Sequence, residues 1–367
     1  MKLRFSHFGA FALCAMVLAA FSSTCPLQAE EVSSFTSVVN QTPIDVQYQP
    51  ATTYEVIIKG TDEDRAILKA EVKHGTLTVS TVNKKGRGNQ TLSSKASVLV
   101  KAPTLSSVST LSSGNVNCKG EFSTRDFTVS VQSSGSVTIA KAHVSGKLQL
   151  KTNSSGDVIF NGTASGPVQL ASNSTGNIKT ILTDLGVLQV ATNSSGDANV
   201  IFRKCDIADV ACNSSGSVRL QGEVAKTASL AANSTGDIIA KISGHQTNLA
   251  VASNSAGTIE LSFKTADKFS VALNSSGDVR ANGSVVTEAR LSAASTGDMI
   301  ATIGGPEKVT AVNKSVGDMI VVLKDAGDVT ASCYDVGDII LSGSARNLQR
   351  SNKQEGEVQV RGLKLTK

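Results

Sequence analysis

The sequence is dominated by a short turn motif that recurs every 20 or 21 residues. Most copies are rich in serine and threonine, and all end in glycine. A period held this closely over twelve copies indicates that every copy occupies the same place in one repeating structure. The twelve glycines are Gly114, Gly135, Gly156, Gly176, Gly196, Gly216, Gly236, Gly257, Gly277, Gly297, Gly317 and Gly337.

Apolar residues flank each glycine at fixed distances. They favour the positions eight and six residues before it and two after it, as Val168, Leu170 and Ile178 do around Gly176. This alternation indicates two short strands, each with one buried face, and no segment has the spacing of an amphipathic helix. A coil of about 20 residues cannot bury its apolar face alone, whereas parallel coils stacked about 4.8 Å apart can. The sequence therefore predicts an all-β fold, a single-chain parallel β-helix or solenoid, with the right-handed form favoured.

The turn predicts two structural roles. An asparagine three residues before the glycine can donate and accept hydrogen bonds, so a column of asparagines is expected to form a structural ladder rather than to contact a ligand. The glycine is expected to adopt a backbone conformation that other residues resist. The ladder asparagines are Asn153, Asn173, Asn193, Asn213, Asn233, Asn254 and Asn274.

The position after the glycine forms a second polar column. It alternates acidic with neutral residues in the earlier coils, and then Asp278, Asp298, Asp318 and Asp338 follow on successive coils. Solvent-exposed aspartates that each hydrogen-bond within their own turn explain this row. The alternative is a weak row of divalent-cation sites, since hard cations prefer clustered carboxylate oxygens.

The first 29 residues predict a secretory signal peptide. Two basic residues, Lys2 and Arg4, precede an apolar run from Phe8 to Phe21 that is too short to span a bilayer, and cleavage is expected after Ala29. Lipoprotein processing at Cys25 is the alternative. We expect export to the periplasm, the outer-membrane surface or the extracellular space, with no transmembrane segment in the mature chain.

We expect four regions in the chain. Residues 1–29 form the leader, 30–110 the irregular N-terminal coils and cap, 111–341 the regular repeats and 342–367 a C-terminal cap. Removing the leader lowers the formal net charge from +5 to +3, and scattered charges of that size do not indicate nucleic-acid binding.

Composition argues against an enzyme. The chain has no tryptophan and only three tyrosines, so it offers little for sugar stacking. Outside the leader, His74, His143 and His245 fall at unrelated phases of the repeat and are expected to be isolated, and the sequence indicates no cofactor. Cys205 and Cys212 could form a disulfide or could be small buried residues of a core column.

Several short motifs resemble one known family, the head GIN domain of secreted bacterial proteins described as autotransporter adhesin heads. That resemblance implies a β-helical fold over essentially the whole mature chain, and it supplies no catalytic residues, because the family has no established biochemical activity. The motifs are Phe35-Thr36-Ser37-Val38, Ile44-Asp45-Val46, Tyr54-Glu55-Val56, Gly75-Thr76-Leu77-Thr78-Val79, Ala102-Pro103-Thr104-Leu105 and Ser112-Ser113-Gly114-Asn115-Val116, followed by the repeated Ser-Ser-Gly-Asp-Val/Ile signature.

Two classes of function remain open. A rod that exposes regular rows of polar side chains suits an adhesin-like binding or scaffold module, whose partner is an envelope protein or a surface glycan. The alternative is a β-helix enzyme, a lyase or hydrolase, acting on polysaccharides. Such an enzyme requires a groove with paired carboxylates, and no insertion interrupts the repeat to build one.

Overall fold

Parallel strands stack in about 13 coils of about 20 residues, and the chain is 66% strand and 2% helix. This computed structural model describes residues 29–82 and 91–366. The predicted β-solenoid is therefore confirmed. The predicted leader, apart from Ala29, and the polar, basic loop of residues 83–90 lie outside the described residues.

From β8 onward, each strand pairs in parallel with its counterpart in the next coil. One helix, α1 (Asp62–Ile67), is present among the described residues, and the sequence analysis did not foresee it. The strands are β1 (Ala29–Glu31), β2 (Ser37–Asn40), β3 (Asp45–Pro50), β4 (Glu55–Lys59), β5 (Leu68–Lys73), β6 (Thr76–Thr81), β7 (Ser97–Ala102), β8 (Ser107–Thr110), β9 (Val116–Thr124), β10 (Phe127–Val131), β11 (Val137–Val144), β12 (Leu148–Thr152), β13 (Val158–Ala164), β14 (Val168–Ser172), β15 (Ile178–Thr192), β16 (Ala198–Cys212), β17 (Val218–Ala232), β18 (Ile238–Ser253), β19 (Ile259–Leu273), β20 (Val279–Ala293), β21 (Met299–Gly304), β22 (Lys308–Asn313), β23 (Met319–Cys333), β24 (Ile339–Asn352) and β25 (Val358–Leu365).

The core is a set of columns that run along the solenoid axis. The three predicted apolar columns are buried, and the coil between Gly176 and Gly196 shows further inward positions that the sequence analysis did not identify. Stacking in register places like residues against like, which keeps the interior continuous and dry. The buried residues of this coil are Ile178, Thr180, Leu182, Leu185, Leu188, Val190 and Thr192.

The turn glycines are required by space and not by backbone angle. A Cβ added to Gly196 would overlap the carbonyl oxygen of Gly176, and one added to Gly216 would overlap that of Gly196. None of the twelve has a φ in the left-handed region. The expectation of a special backbone conformation is therefore wrong, because the close approach of neighbouring turns is what excludes a side chain.

The repeat extends further than the twelve glycines indicate. Gly356 follows Gly337, and β25 continues the parallel stack on β24. At the other end, Ile44 occupies the place of the glycine, since a Cβ on Gly114 would overlap the Ile44 carbonyl oxygen. The spacing of the glycines misses these two coils because Gly356 follows Gly337 after 19 residues rather than 20 or 21, and because the turn at Ile44 has no glycine.

The N-terminal end is ordered differently from the rest of the chain. β2 lies between β6 and β8, and β3 lies between β7 and β9, with all of these pairs parallel. The second coil of the chain, with β6 and β7, therefore lies at the end of the stack, and the first coil, with β2 and β3, lies between it and the third. Antiparallel strands then cover the outer coil, β5 on β6 and β4 on β7, with β1 on β4. This arrangement closes the end of the core.

Candidate functional site

The asparagine column forms a continuous hydrogen-bonded ladder on the outside of the turns. The amide Nδ2 of Asn173 donates to Oδ1 of Asn153 at 2.8 Å, and Asn193 donates to Asn173 at 2.7 Å. The remaining pairs, up to Asn274 and Asn254 at 2.9 Å, repeat the same bond. Each interior amide thus donates to one neighbour and accepts from the other, so the column joins successive turns.

The aspartate column bonds the next coil. Oδ1 of Asp298 accepts from the backbone N–H of Asp318 at 2.8 Å, and Oδ1 of Asp318 accepts from that of Asp338 at 3.0 Å. The same bond joins Asp278 to Asp298 at 3.1 Å and Asp338 to Glu357 at 2.8 Å. The expectation that each aspartate bonds its own turn is therefore wrong, since these carboxylates stitch successive coils together.

The cation row of Asp278, Asp298, Asp318 and Asp338 stays a prediction. Across residues 29–82 and 91–366, no group of three or more His, Cys, Asp or Glu side chains is placed to hold a metal ion. At the ends of the row, the second carboxylate oxygens contact protein groups, Arg280 on Asp278 at 3.1 Å and the Gln359 amide on Asp338.

A buried column lies inside the turns, four residues before the glycine, and eight of its twelve positions are Thr, Ser, Cys or Asn. Thr110 donates through Oγ1 to the Gly114 carbonyl oxygen at 2.9 Å, and Ser253 donates to that of Gly257 at 3.1 Å. Each side chain satisfies a carbonyl that the turn would otherwise bury unpaired. The sequence signal for this column is the recurrence of Thr, Ser, Cys or Asn four residues before the glycine. The apolar columns alone do not reveal it.

The four cysteines in the described part of the chain, Cys118, Cys205, Cys212 and Cys333, are buried free thiols. Cys212 occupies the same interior column and contacts the Gly216 carbonyl oxygen at 2.5 Å, while Cys205 lies in the corner of the coil. The two are not bonded, which decides between the open alternatives. Burial and the charge of Asp206 raise the pKa of Cys205 to about 12, so this thiol is not poised to react.

Two histidines are not isolated, contrary to the sequence analysis. His143 contacts Thr163 Oγ1 through Nδ1 at 2.9 Å and Glu121 through Nε2, and His245 Nε2 lies 2.7 Å from Asp267 Oδ1. These partners lie one coil away, at 20 to 22 residues along the chain, so spacing by one coil could have found them. His74 instead occupies the turn between β5 and β6 with φ 49°.

An open pocket of about 440 Å³ lies at the corner of the coil opposite the asparagine ladder. It spans three consecutive coils in which a short turn separates two strands, β9 from β10, β11 from β12 and β13 from β14. In the coils from β15 to β20 the chain passes this corner as one continuous strand. The pocket is lined by Ser123, Thr124, Arg125, His143, Val144, Ser145, Thr163 and Ser165.

Glu121 fixes the position of His143, which lines the pocket. Its carboxylate contacts His143 and also Lys141, whose Nζ lies 2.8 Å away. Hydrogen bonds from Lys141 and His143 lower the pKa of Glu121. The imidazole is thereby held between a carboxylate on one coil and a hydroxyl on another.

Within the described residues, no helix is long and apolar enough to cross a membrane.

Comparison with known proteins agrees with the geometry. A family model described as "Putative auto-transporter adhesin, head GIN domain" matches residues 34–223. No curated protein matches the chain.

Three solved structures are similar. A putative adhesin from Bacteroides fragilis NCTC 9343 is 21% identical, with 64% of this chain and 95% of that chain covered and a TM-score of 0.48. A putative lipid binding protein from Parabacteroides distasonis ATCC 8503 is 15% identical, with 91% and 96% covered and a TM-score of 0.33. A putative adhesin from Parabacteroides merdae ATCC 43184 is 14% identical, with 80% and 95% covered and a TM-score of 0.33.

Proposed function

The chain belongs to the head GIN domain family of putative auto-transporter adhesins, and on that basis we propose that it is a non-catalytic binding or scaffold module of the cell envelope or the extracellular space. Its partner is an envelope protein or a surface glycan. The predicted leader supports this location.

The proposal rests on the hydrogen-bonded asparagine and aspartate columns of the turns. Asparagine amides and aspartate Oδ1 atoms bond the coil next to them along the length of the repeat. Side chains that are committed to holding coils together stiffen the rod. A stiff rod presents its remaining surface in a constant geometry, which suits a display or adhesion role because little ordering entropy is lost on binding.

Binding by the chain without residues 1–29 tests the proposal. We expect it to retain ligands on a glycan array or to capture components from envelope extracts. Gly186→Ala is the matched control, because the nearest atom to the added Cβ is the Ser165 carbonyl oxygen at 3.9 Å, so binding should persist. Gly196→Ala, which disturbs the stack, should reduce it.

Two results would contradict the proposal. One is the absence of any glycan or envelope ligand for the folded chain. The other is release of reducing ends or unsaturated products from polysaccharides, which would instead support the polysaccharide-active enzyme.

A further inference from the structure

The corner pocket presents its polar side chains as a regular grid of two rows on three coils. The first row is Ser123, His143 and Thr163, which the strand register places side by side. The second row is Arg125, Ser145 and Ser165, two residues further along each coil. Four hydroxyl-bearing residues, a histidine and an arginine therefore line one open pocket of about 440 Å³.

The chemistry of this grid fits a saccharide. Hydroxyl groups both donate and accept hydrogen bonds, as the hydroxyls of a sugar do, and a row of them can match several sugar hydroxyls at once. Binding pockets of a few hundred Å³ are large enough for one or two sugar units. The His143 ring is held from both sides by Thr163 and Glu121, so it offers a fixed surface rather than a mobile one.

Charge selects an anionic saccharide over a neutral one. Residues 119–147 carry four basic side chains and two acidic ones. The Arg125 side chain is 88% exposed, and its contact with Asp126 is long, at 3.9 Å. Oδ1 of that aspartate accepts from the backbone N–H of Lys147 at 2.8 Å. The guanidinium is thus left open to pair with a carboxylate or sulfate in its fork geometry.

We propose that this pocket binds an anionic sugar unit, with Arg125 holding the acidic group and the hydroxyl rows holding the sugar ring. The inference rests on the proposed binding function and names its site and ligand class. A carboxylated sugar and a sulfated sugar share this chemistry, and the experiment separates them.

Titration calorimetry with three defined tetrasaccharides tests the site. The probes are hyaluronan, which carries carboxylates, chondroitin 4-sulfate, which adds sulfates, and chitotetraose, which is neutral. We expect at least one anionic probe to bind and the neutral probe to bind at least roughly tenfold more weakly. Whichever anionic probe binds more tightly identifies the acidic group.

Arg125→Ala and Arg203→Ala form a matched pair of variants. Both remove one exposed arginine from the same side of the solenoid, but Arg203 pairs with Asp184 outside the pocket. We expect Arg125→Ala to weaken the anionic probe roughly tenfold or more and Arg203→Ala to leave it unchanged. Thr163→Val should also weaken binding, since it frees the His143 ring, while both arginine variants should melt like the parent chain.

Several outcomes would overturn the site. Equal losses of affinity for the anionic probe in the two arginine variants would indicate non-specific attraction to net charge. If chitotetraose bound as tightly as the anionic probes, the pocket would not require an acidic group. If an anionic probe bound Arg125→Ala as tightly as it binds the parent chain, its binding site would lie outside this pocket. The proposed function would then still stand. If no tetrasaccharide binds, the pocket proposal fails, and capture from envelope extracts then decides the proposed function separately.

Discussion

The N-terminal cap and the regular coils hold themselves together by different kinds of contact. In the coils, a side chain bonds its own counterpart one coil away, as Asn213 does with Asn193 at 2.8 Å. In the cap, unlike residues that are distant in sequence meet, as Lys101 does with Glu55 at 2.8 Å and Ser93 with Asp64. Identical side chains that bond one another must both donate and accept, as the ladder asparagines do, whereas the cap contacts join complementary groups. Complementary pairs such as Lys226 and Asp206 also join neighbouring coils.

This difference explains why the coils are readable in the sequence and the cap is not. A self-complementary contact must recur with the period of the coil, so it leaves a column in the sequence. A contact such as that of Tyr48, whose hydroxyl donates to the Ala102 carbonyl oxygen at 3.0 Å, occurs once. Four substitutions test the two kinds of contact, in order of decreasing expected loss of stability.

Gly196→Ala should have the largest effect, because its Cβ would overlap both the Gly176 carbonyl oxygen and the Ser172 hydroxyl. Neighbouring coils would have to separate, and we expect a loss of about 3 kcal/mol in the free energy of unfolding. Urea unfolding followed by circular dichroism measures it. Gly186→Ala is the control, and an equal loss in the two variants would show that coil contact at the turn is not what requires the glycine.

Thr110→Val should come next. The valine keeps the shape of the side chain but leaves the buried Gly114 carbonyl oxygen without its bond from Oγ1, at a cost of about 2 kcal/mol. Thr110→Ser retains a hydroxyl and should restore most of the stability in the same urea experiment. Equal stability of the valine and serine variants would contradict a role for the interior hydroxyl column.

Asp64→Asn tests a contact of the cap. Burial acts to raise the pKa of Asp64, but hydrogen bonds from Ser93 and Thr61 outweigh it and lower the pKa from 3.8 to about 2. The lowered pKa stabilises the folded chain above about pH 4, and this contribution is lost as pH falls towards 2. We expect the variant to lose on the order of 1 kcal/mol at neutral pH.

Melting temperatures between pH 7 and pH 2 check the sign of this prediction. The difference between the parent chain and Asp64→Asn should shrink as the pH falls through that range. A difference that stays constant or grows on acidification would show that the Asp64 carboxylate does not stabilise the cap.

Asn213→Asp should have the smallest effect, about 0.5 kcal/mol, because the ladder is exposed. A carboxylate cannot donate to Asn193, although it still accepts from Asn233. Below about pH 4 the protonated carboxyl can donate again, so the loss should disappear there. Thermal melts at pH 7 and pH 3 measure this recovery, and its absence would mean that donation along the ladder adds nothing to stability.

The features of the candidate site also differ in how far the sequence reveals them. The asparagine and aspartate columns are visible in the sequence, although their hydrogen-bond partners are not, as the bond from Asp318 to the next coil shows. The corner pocket has no column of its own, because Arg125 and Ser145 occupy equivalent places with different chemistry. A search for repetition discards such positions as irregular.

The sequence by itself determined the class of fold, the length of the coil and the buried columns beside the turn, because stacking in register forces each of these to repeat. The tertiary structure alone decided the reversed order of the first coils and the pocket around His143. These depend on which unlike residues the corner and the cap bring together across neighbouring coils, and no period in the sequence records such pairs.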